Sequence, residues 1–256
     1  MDLLKTKDFI INWIEDYAQI NHIQSLIIGV SGGIDSALTS TLCAMTKLNT
    51  IIVSIPIHQN KKELDNAQKH IKWLLKTYPN TKSTTIDLSK LNDQYTATIP
   101  NEYQSDMGLI NSRARMRMMT LYQIASSTNG IVVGTGNQIE DFEIGFFTKY
   151  GDGGVDISPI ADLKKSEVKK LAIYCGIISN IIKAPPTDGL WQDGRTDEDQ
   201  IGATYEELEW AMNCKNSKNL AGRKKEVFNI YMKLKKRNHH KMIPVPVCKI
   251  PKKLRN

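Results

Sequence analysis

The stretch SLIIGVSGGIDSALTSTLCA, Ser25–Ala44, decides the fold. Its first part, SLIIGV (25–30), is short, apolar, β-branched and ended by glycine, which is how a buried parallel strand reads. A helix rich in small residues is predicted directly after it, over 35–48. A glycine-rich turn between strand and helix start makes an anion cradle, because backbone N–H groups point into the turn and the helix dipole adds positive potential. Gly32 and Gly33 let the backbone approach phosphate without a Cβ clash, and Ser31 and Ser36 add hydroxyl donors. The turn is too short for the G-x-x-x-x-G-K-[ST] phosphate loop and lacks its lysine. Asp35 is the unusual member. A carboxylate beside bound phosphate needs a divalent cation between them, and Mg²⁺ takes one or two protein carboxylates plus phosphate oxygens. The alternative is that Asp35 only caps the helix, and spacing leaves both readings open.

Outward from this stretch, strand and helix patterns alternate. Helix 8–20 places Ile10, Trp13, Ile14 and Tyr17 on one face. Strand 50–57 is followed by helix 61–78, with Ala67, Ile71, Leu74 and Leu75 inward. A shorter strand covers 83–88, and the polar stretch Ser89–Gly108 reads as a loop with a turn of helix. Helix 109–127 precedes strand 130–135, and 145–160, with its four glycines, reads as an ordered loop. Helix 164–176 is closed by Gly176. Residues 183–202, acidic with prolines and glycines, are long enough for a mobile lid. Helices near 204–213 and 217–237 come next, then a basic, proline-spaced tail at about 238–256. The alternation predicts an α/β fold, a doubly wound parallel sheet with helices on both faces, in one domain spanning 1–256. In such sheets ligands sit at the carboxyl ends of the strands, where Gly29 and Gly134 fall.

Composition narrows the classes. The 256 residues are 41% hydrophobic and 24% charged, ordinary for a globular chain. Four separated cysteines without a CxxC pair fit free thiols in a reducing compartment. No apolar run is long enough for a membrane helix, and MDLLKTKDFIINW lacks the features of a signal peptide; a cytoplasmic location is expected. The net charge of +7, concentrated in the C-terminal third, suits nucleic acid or small polyanions such as nucleotides.

SGGIDS after a parallel strand resembles the signature of the ATP pyrophosphatases, which cleave ATP between its α- and β-phosphates and transfer AMP to a substrate oxygen. Within that superfamily, NSRARMRMMTLY (111–122), GFFTKYGDGGVDISPI (145–160), APPTDGL (184–190) and the closing HHK (239–241) are similar to the NAD synthetases, in their short, ammonia-dependent form. The resemblance covers essentially the whole chain. It implies a Rossmann-like ATP pyrophosphatase fold, ATP as co-substrate and Mg²⁺. The reaction it implies is amidation of deamido-NAD with ammonia to NAD through an acyl adenylate, releasing AMP and pyrophosphate.

Site residues follow from the same resemblance. ATP would contact Gly29, Val30, Ser31, Gly32, Gly33, Ile34, Asp35, Ser36, Thr135, Lys165 and Thr187. Mg²⁺ would lie on Asp35 and Glu140, with Asp141 a competitor. Lys165 and Asp152 are the implied catalytic residues, although Lys164 competes with Lys165. Deamido-NAD would contact Arg115, Lys149, Asp156, His240 and Lys241, the last two across the interface of a homodimer. On helix 109–127, Asn111, Arg115, Met119 and Tyr122 share one face, and Arg113 and Arg117 share another about 200° from Arg115. Two arginine faces suggest two jobs; surface solvation is the alternative. The chain departs from the family in reading Gly134-Thr135-Gly136-Asn137 where many members have G-T-D-H, and in one additional residue before GFF. The synthetase core begins by about residue 25, leaving no room for the amidase domain of glutamine-using members, so free ammonia is the expected nitrogen donor.

Two rivals keep the fold and change the function. One is another ATP pyrophosphatase, such as a tRNA-modifying adenylating enzyme; the other is a non-catalytic nucleotide- or RNA-binding protein. Neither a nucleic-acid-binding appendage nor sulfur-handling cysteines are evident, so no nucleic-acid partner is expected.

Overall fold

In a computed structural model, residues 1–186, 196–215 and 219–255 are described; Thr187 and much of the expected lid lie outside them. Four parallel strands form one sheet: β1 (Ser25–Gly29), β2 (Asn49–Ser54), β3 (Thr81–Thr85) and β4 (Gly130–Val132), in the order β3-β2-β1-β4. Ile27 of β1 lies between Ile51 of β2 and Val132 of β4. The strands run outward from β1 to β3 on one side and jump to β4 on the other, so the order reverses between β1 and β4. In an open α/β sheet that reversal leaves a crevice at the carboxyl ends.

Helices α1 (Leu3–Ile20), α2 (Ile34–Ala44), α3 (Lys61–Thr77) and α6 (Lys165–Tyr174) cover one face. Ile14, Leu38, Leu42, Val168 and Leu171 meet Leu26 and Ile28 of β1 there, and Ile71 and Leu74 meet Ile52 of β2. The opposite face packs under α5 (Asp106–Ser127), whose Met116, Met118, Leu121 and Ala125 meet Ile27, Val53 and Val132. Each fully buried side chain of this kind contributes about 1.5–3 kcal/mol. The doubly wound sheet is therefore present, because alternate residues of β1 and β2 are apolar toward both faces. A third cluster joins a π-helical turn, Gln138–Ile144, to α8 (Asp197–Ile201), α9 (Tyr205–Met212) and α10 (Gly222–Met242).

Several expected boundaries move. The stretch after β3 is not a loop: Ser89–Thr98 forms a helix, α4, followed by a 3-10 turn at Asn101–Tyr103. Its polar surface hid it, since Asn92 is its sole fully buried residue. β3 begins at Thr81, and four of its residues are exposed, so it has no apolar alternation to read. β4 stops at Val132, since Val133 bridges to Ile157 and Gly134 N–H donates to Ile157 O at 2.7 Å. A short helix, α7 (Ser179–Ile182), follows α6. Part of the expected lid is helical as α8, and α10 runs on to Met242, so His240 and Lys241 sit on a helix and not in the tail. Leu75 and Trp13, expected on packed faces, are 41% and 39% exposed.

Candidate active site

A cleft of about 1520 Å³ opens at the carboxyl ends of β1 and β4. All of Gly29–Ser36 line it. Hydroxyls hold the turn's shape: Gly33 N–H donates to Ser31 Oγ at 3.2 Å, and Ser36 Oγ donates to Gly33 O at 3.0 Å. Gly32 has φ +96, and a Cβ there would lie 2.5 Å from Glu63 O on α3. Only glycine fits this left-handed position against a neighbouring backbone. Gly33 is the N-cap of α2, which aims the helix's free N–H groups into the cleft.

Asp35 sits in the first turn of α2 and does not cap it. Its Oδ2 accepts from Lys165 Nζ at 2.6 Å, and its Oδ1 from Asn137 Nδ2 at 3.1 Å. Lys165 Nζ also donates to Glu140 Oε1 at 2.8 Å. Three side chains from α2, the π-helical turn and the start of α6 thus converge on one point. Burial opposes the lysine's charge, but Asp35 and Glu140 outweigh it and raise the Lys165 pKa. Burial raises Asp35, and Lys165 only partly offsets this because Glu140 repels from the same side. Two carboxylates share one ammonium, leaving the cluster short of positive charge. No group of three His, Cys, Asp or Glu among the described residues is arranged to hold a metal by itself. Two carboxylate oxygens beside a phosphate cradle are nonetheless the donor set that Mg²⁺ uses when phosphates supply the rest, so Asp35 and Glu140 fit that ion.

The two pairs left open by the sequence take different positions, although Glu140 and Asp141 both line the cleft. Lys165 reaches the cleft, whereas Lys164 ends the preceding loop, its N–H donating to Glu167 Oε2 at 3.0 Å. Glu140, not Asp141, joins Lys165. The Asp141 carboxylate lies over Gly136, where an added Cβ would coincide with it. Burial first, then Asp152, Glu140 and Asp35, push its pKa well above the usual carboxylate range. The stretch before GFF, Gln138–Ile144, is a π-helical turn, a form often found at functional sites. Asn137 Oδ1 caps that turn by accepting from Glu140 N–H at 3.1 Å, and its Nδ2 holds Asp35. The same asparagine therefore holds the Asp35 carboxylate and the backbone of Glu140.

The opposite wall carries the other expected residues. Arg115 Nε donates to Lys149 O at 3.3 Å, Lys149 Nζ to His240 O at 2.9 Å, and Lys241 Nζ to Phe147 O at 2.6 Å. Lys241 Nζ also stands 4.9 Å from the Phe147 ring centroid. Arg115, Lys149, His240 and Lys241 thus line the cleft of their own chain, as do Asp152 and Thr135. Asp152 Oδ1 accepts from Thr148 N–H at 3.1 Å. Asp156 is placed otherwise: it is not among the cleft-lining residues. It accepts from Val132 N–H at 2.7 Å and Tyr122 OH at 3.0 Å, tying the loop to β4. Arg115 and Arg117 both line the cleft, and they bond differently: Arg117 donates to Ile55 O at 3.0 Å and Gln59 Oε1 at 3.1 Å and clamps the chain after β2. Tyr205, which the sequence reading missed, donates its hydroxyl to Glu140 Oε1 and lies beneath Lys165. Its only sequence signal is a capping box, Thr204 to Glu207, and that signal places a helix start without saying what the helix faces.

The sequence model described as NAD synthase matches residues 7–244. The chain is 32% identical over 260 residues to an NH(3)-dependent NAD(+) synthetase of Alkaliphilus metalliredigens, covering 98% of this chain and all of that one. It is 35% identical over 210 residues to the enzyme so named in Sulfurisphaera tokodaii, covering 82% of this chain and 73% of that one. Among solved structures, an NMN synthetase from Francisella tularensis superposes with a TM-score of 0.87 at 32% identity, covering 98% of this chain and all of that one. An NH3-dependent NAD synthetase from Campylobacter jejuni superposes with a TM-score of 0.77 at 27% identity, covering 97% and 100%.

Proposed function

This chain belongs to the NAD synthase family, and from that membership we propose that it is an ATP-dependent ligase that amidates deamido-NAD with ammonia. The observation that carries the reading is the convergence of Asp35, Glu140 and Lys165 at the mouth of the Gly29–Ser36 turn. A carboxylate is a poor electrophile with a poor leaving group, and adenylation corrects both. The nicotinate carboxylate attacks the α-phosphate of ATP, and pyrophosphate departs into the turn, where backbone N–H groups and Lys165 stabilise its charge. Ammonia then attacks the acyl carbon and AMP leaves. Mg²⁺, held by Asp35 and Glu140, would neutralise phosphate charge. Lys149, His240 and Lys241 offer cationic and hydrogen-bonding contacts to the dinucleotide, and Arg115 steadies Lys149 from α5. Positioning supplies much of the rate. Asp152, which lines the same cleft, would take a proton from the attacking ammonia.

The likeness to the Francisella protein named an NMN synthetase favours a second reading, in which the acceptor is nicotinate mononucleotide. The chemistry at the carboxylate is unchanged, and only the far wall of the cleft discriminates. A homodimer is part of the proposal, supported by exposed apolar side chains along α4 and α5, including Leu91, Tyr95, Met107 and Met119. Among the described residues no helix is long and apolar enough to cross a membrane, which fits a cytoplasmic enzyme.

One incubation tests the activity: the protein with ATP, Mg²⁺ and ammonium, and either deamido-NAD or nicotinate mononucleotide, read by chromatography. Equal yields of NAD, AMP and pyrophosphate are expected, and Asp35→Asn abolishes them. NMN from the mononucleotide at a higher kcat/KM selects the second reading. No AMP with either acceptor, from folded protein, refutes both.

A further inference from the structure

Tyr205 is 5% exposed and opens α9. Its backbone N–H donates to Glu198 Oε1 at 2.9 Å, and its hydroxyl lies 3.3 Å from Asp197 Oδ2, so α8 sets its position. A phenol has one proton to donate, and the closer acceptor is Glu140 Oε1. That oxygen also receives Lys165 Nζ. Both donors therefore converge on Oε1 and neither uses Oε2. The Tyr205 ring meanwhile presents itself to Lys165 Nζ, 4.8 Å from the centroid, within the range of a cation–π contact.

These contacts matter because Lys165 stands between the two carboxylates that would hold a cation. A divalent ion there and an ammonium repel each other at such short range, so Lys165 must yield when metal and nucleotide enter. Glu140 then loses one of its two donors. Building on the ligase reading above, we infer that Tyr205 is a positioning residue: its hydroxyl keeps Glu140 oriented for the cation after Lys165 turns to phosphate. The hydroxyl suits this task because it is neutral and does not compete with the cation.

The test is calorimetric titration of Mg²⁺ into the full chain with α,β-methylene-ATP. Tyr205→Phe keeps the ring and removes the hydroxyl, so half-saturating Mg²⁺ rises about tenfold. At saturating Mg²⁺, kcat returns to within about twofold of wild type, a split that general loosening of the fold would not produce. In a Glu140→Gln background the same substitution adds less than about twofold, since the hydroxyl then has no carboxylate to orient. An unchanged Mg²⁺ dependence in Tyr205→Phe, or effects that simply multiply in the double variant, overturns the inference. A wild type with no Mg²⁺-dependent nucleotide binding overturns the ligase reading itself. A second arm keeps the hydroxyl: with 3-fluorotyrosine at 205, the ¹⁹F resonance must shift when Mg²⁺ and the analogue are added. An unmoved resonance overturns the inference even if Tyr205→Phe does not fold.

Discussion

Lys165→Met keeps the length of the side chain and removes the ammonium that lies 2.6 Å from Asp35 Oδ2 and 2.8 Å from Glu140 Oε1. The lysine side chain is 14% exposed and both carboxylates 16%, so water replaces the lost charge poorly. Removing one partner of a buried pair costs about 3–5 kcal/mol, and access through the cleft puts this case near the lower figure. For a chain of this size each kcal/mol moves Tm by about 2–4 °C, so a fall of about 6–12 °C is expected near neutral pH. The sign of the pH dependence follows from Asp35, whose pKa is already raised by burial and by Glu140. Without the lysine it rises further, so the folded variant takes up protons at pH values where the unfolded chain does not. The deficit relative to wild type therefore shrinks as pH falls from about 7.5 to about 5.5. Mg²⁺ raises the variant's Tm more than the wild type's, because the ion takes the vacated place. Scanning calorimetry of both proteins across that pH range, with and without Mg²⁺, provides the check. A Tm within about 2 °C of wild type throughout, or a deficit that grows on acidification, would refute the charge accounting.

Gly136→Ala drives the Asp141 carboxylate from the space it fills and lowers kcat/KM by at least about tenfold, whereas Gly136→Ala with Asp141→Ala recovers stability in a denaturant melt relative to Gly136→Ala alone, a non-additivity expected of groups sharing one volume. His70 is buried against Ser40 Oγ at 3.0 Å, and burial lowers its pKa from 6.5 to about 4. The unfolded chain binds a proton in that window that the folded one does not, so up to about 3 kcal/mol of stability is lost as pH falls through it. His70→Gln flattens that dependence in urea midpoints measured against pH. Lys241→Met removes the donor to Phe147 O and a cation from the far wall of the cleft. Initial-rate kinetics should show the acceptor KM rising about tenfold with the ATP KM moved less than about twofold; equal changes in both would place Lys241 elsewhere in the mechanism.

The local periodicities of this chain determined a great deal. A glycine-ended apolar strand running into a helix can be read from Ser25–Ala44, because φ preferences, side-chain size and alternation act within a few residues of each other. The repeat of that unit implied parallel strands, and the SGGIDS turn implied an anion cradle. Ser89–Thr98 escaped the reading because its helix shows almost nothing but polar surface, and β3 was read at 83–88 instead of 81–85 because an edge strand need bury little. What the tertiary structure alone decided is which charges meet. Asp35, Asn137, Glu140, Lys165 and Tyr205 span 171 positions from first to last, and nothing local distinguishes Lys165 from Lys164 or Glu140 from Asp141. The choice is made where the start of α6 and the π-helical turn meet the first turn of α2, so that Lys165, and neither Lys164 nor Asp141, bonds to Asp35 and Glu140. Coulomb and hydrogen-bond energies depend on separation in space, and sequence distance carries no record of it.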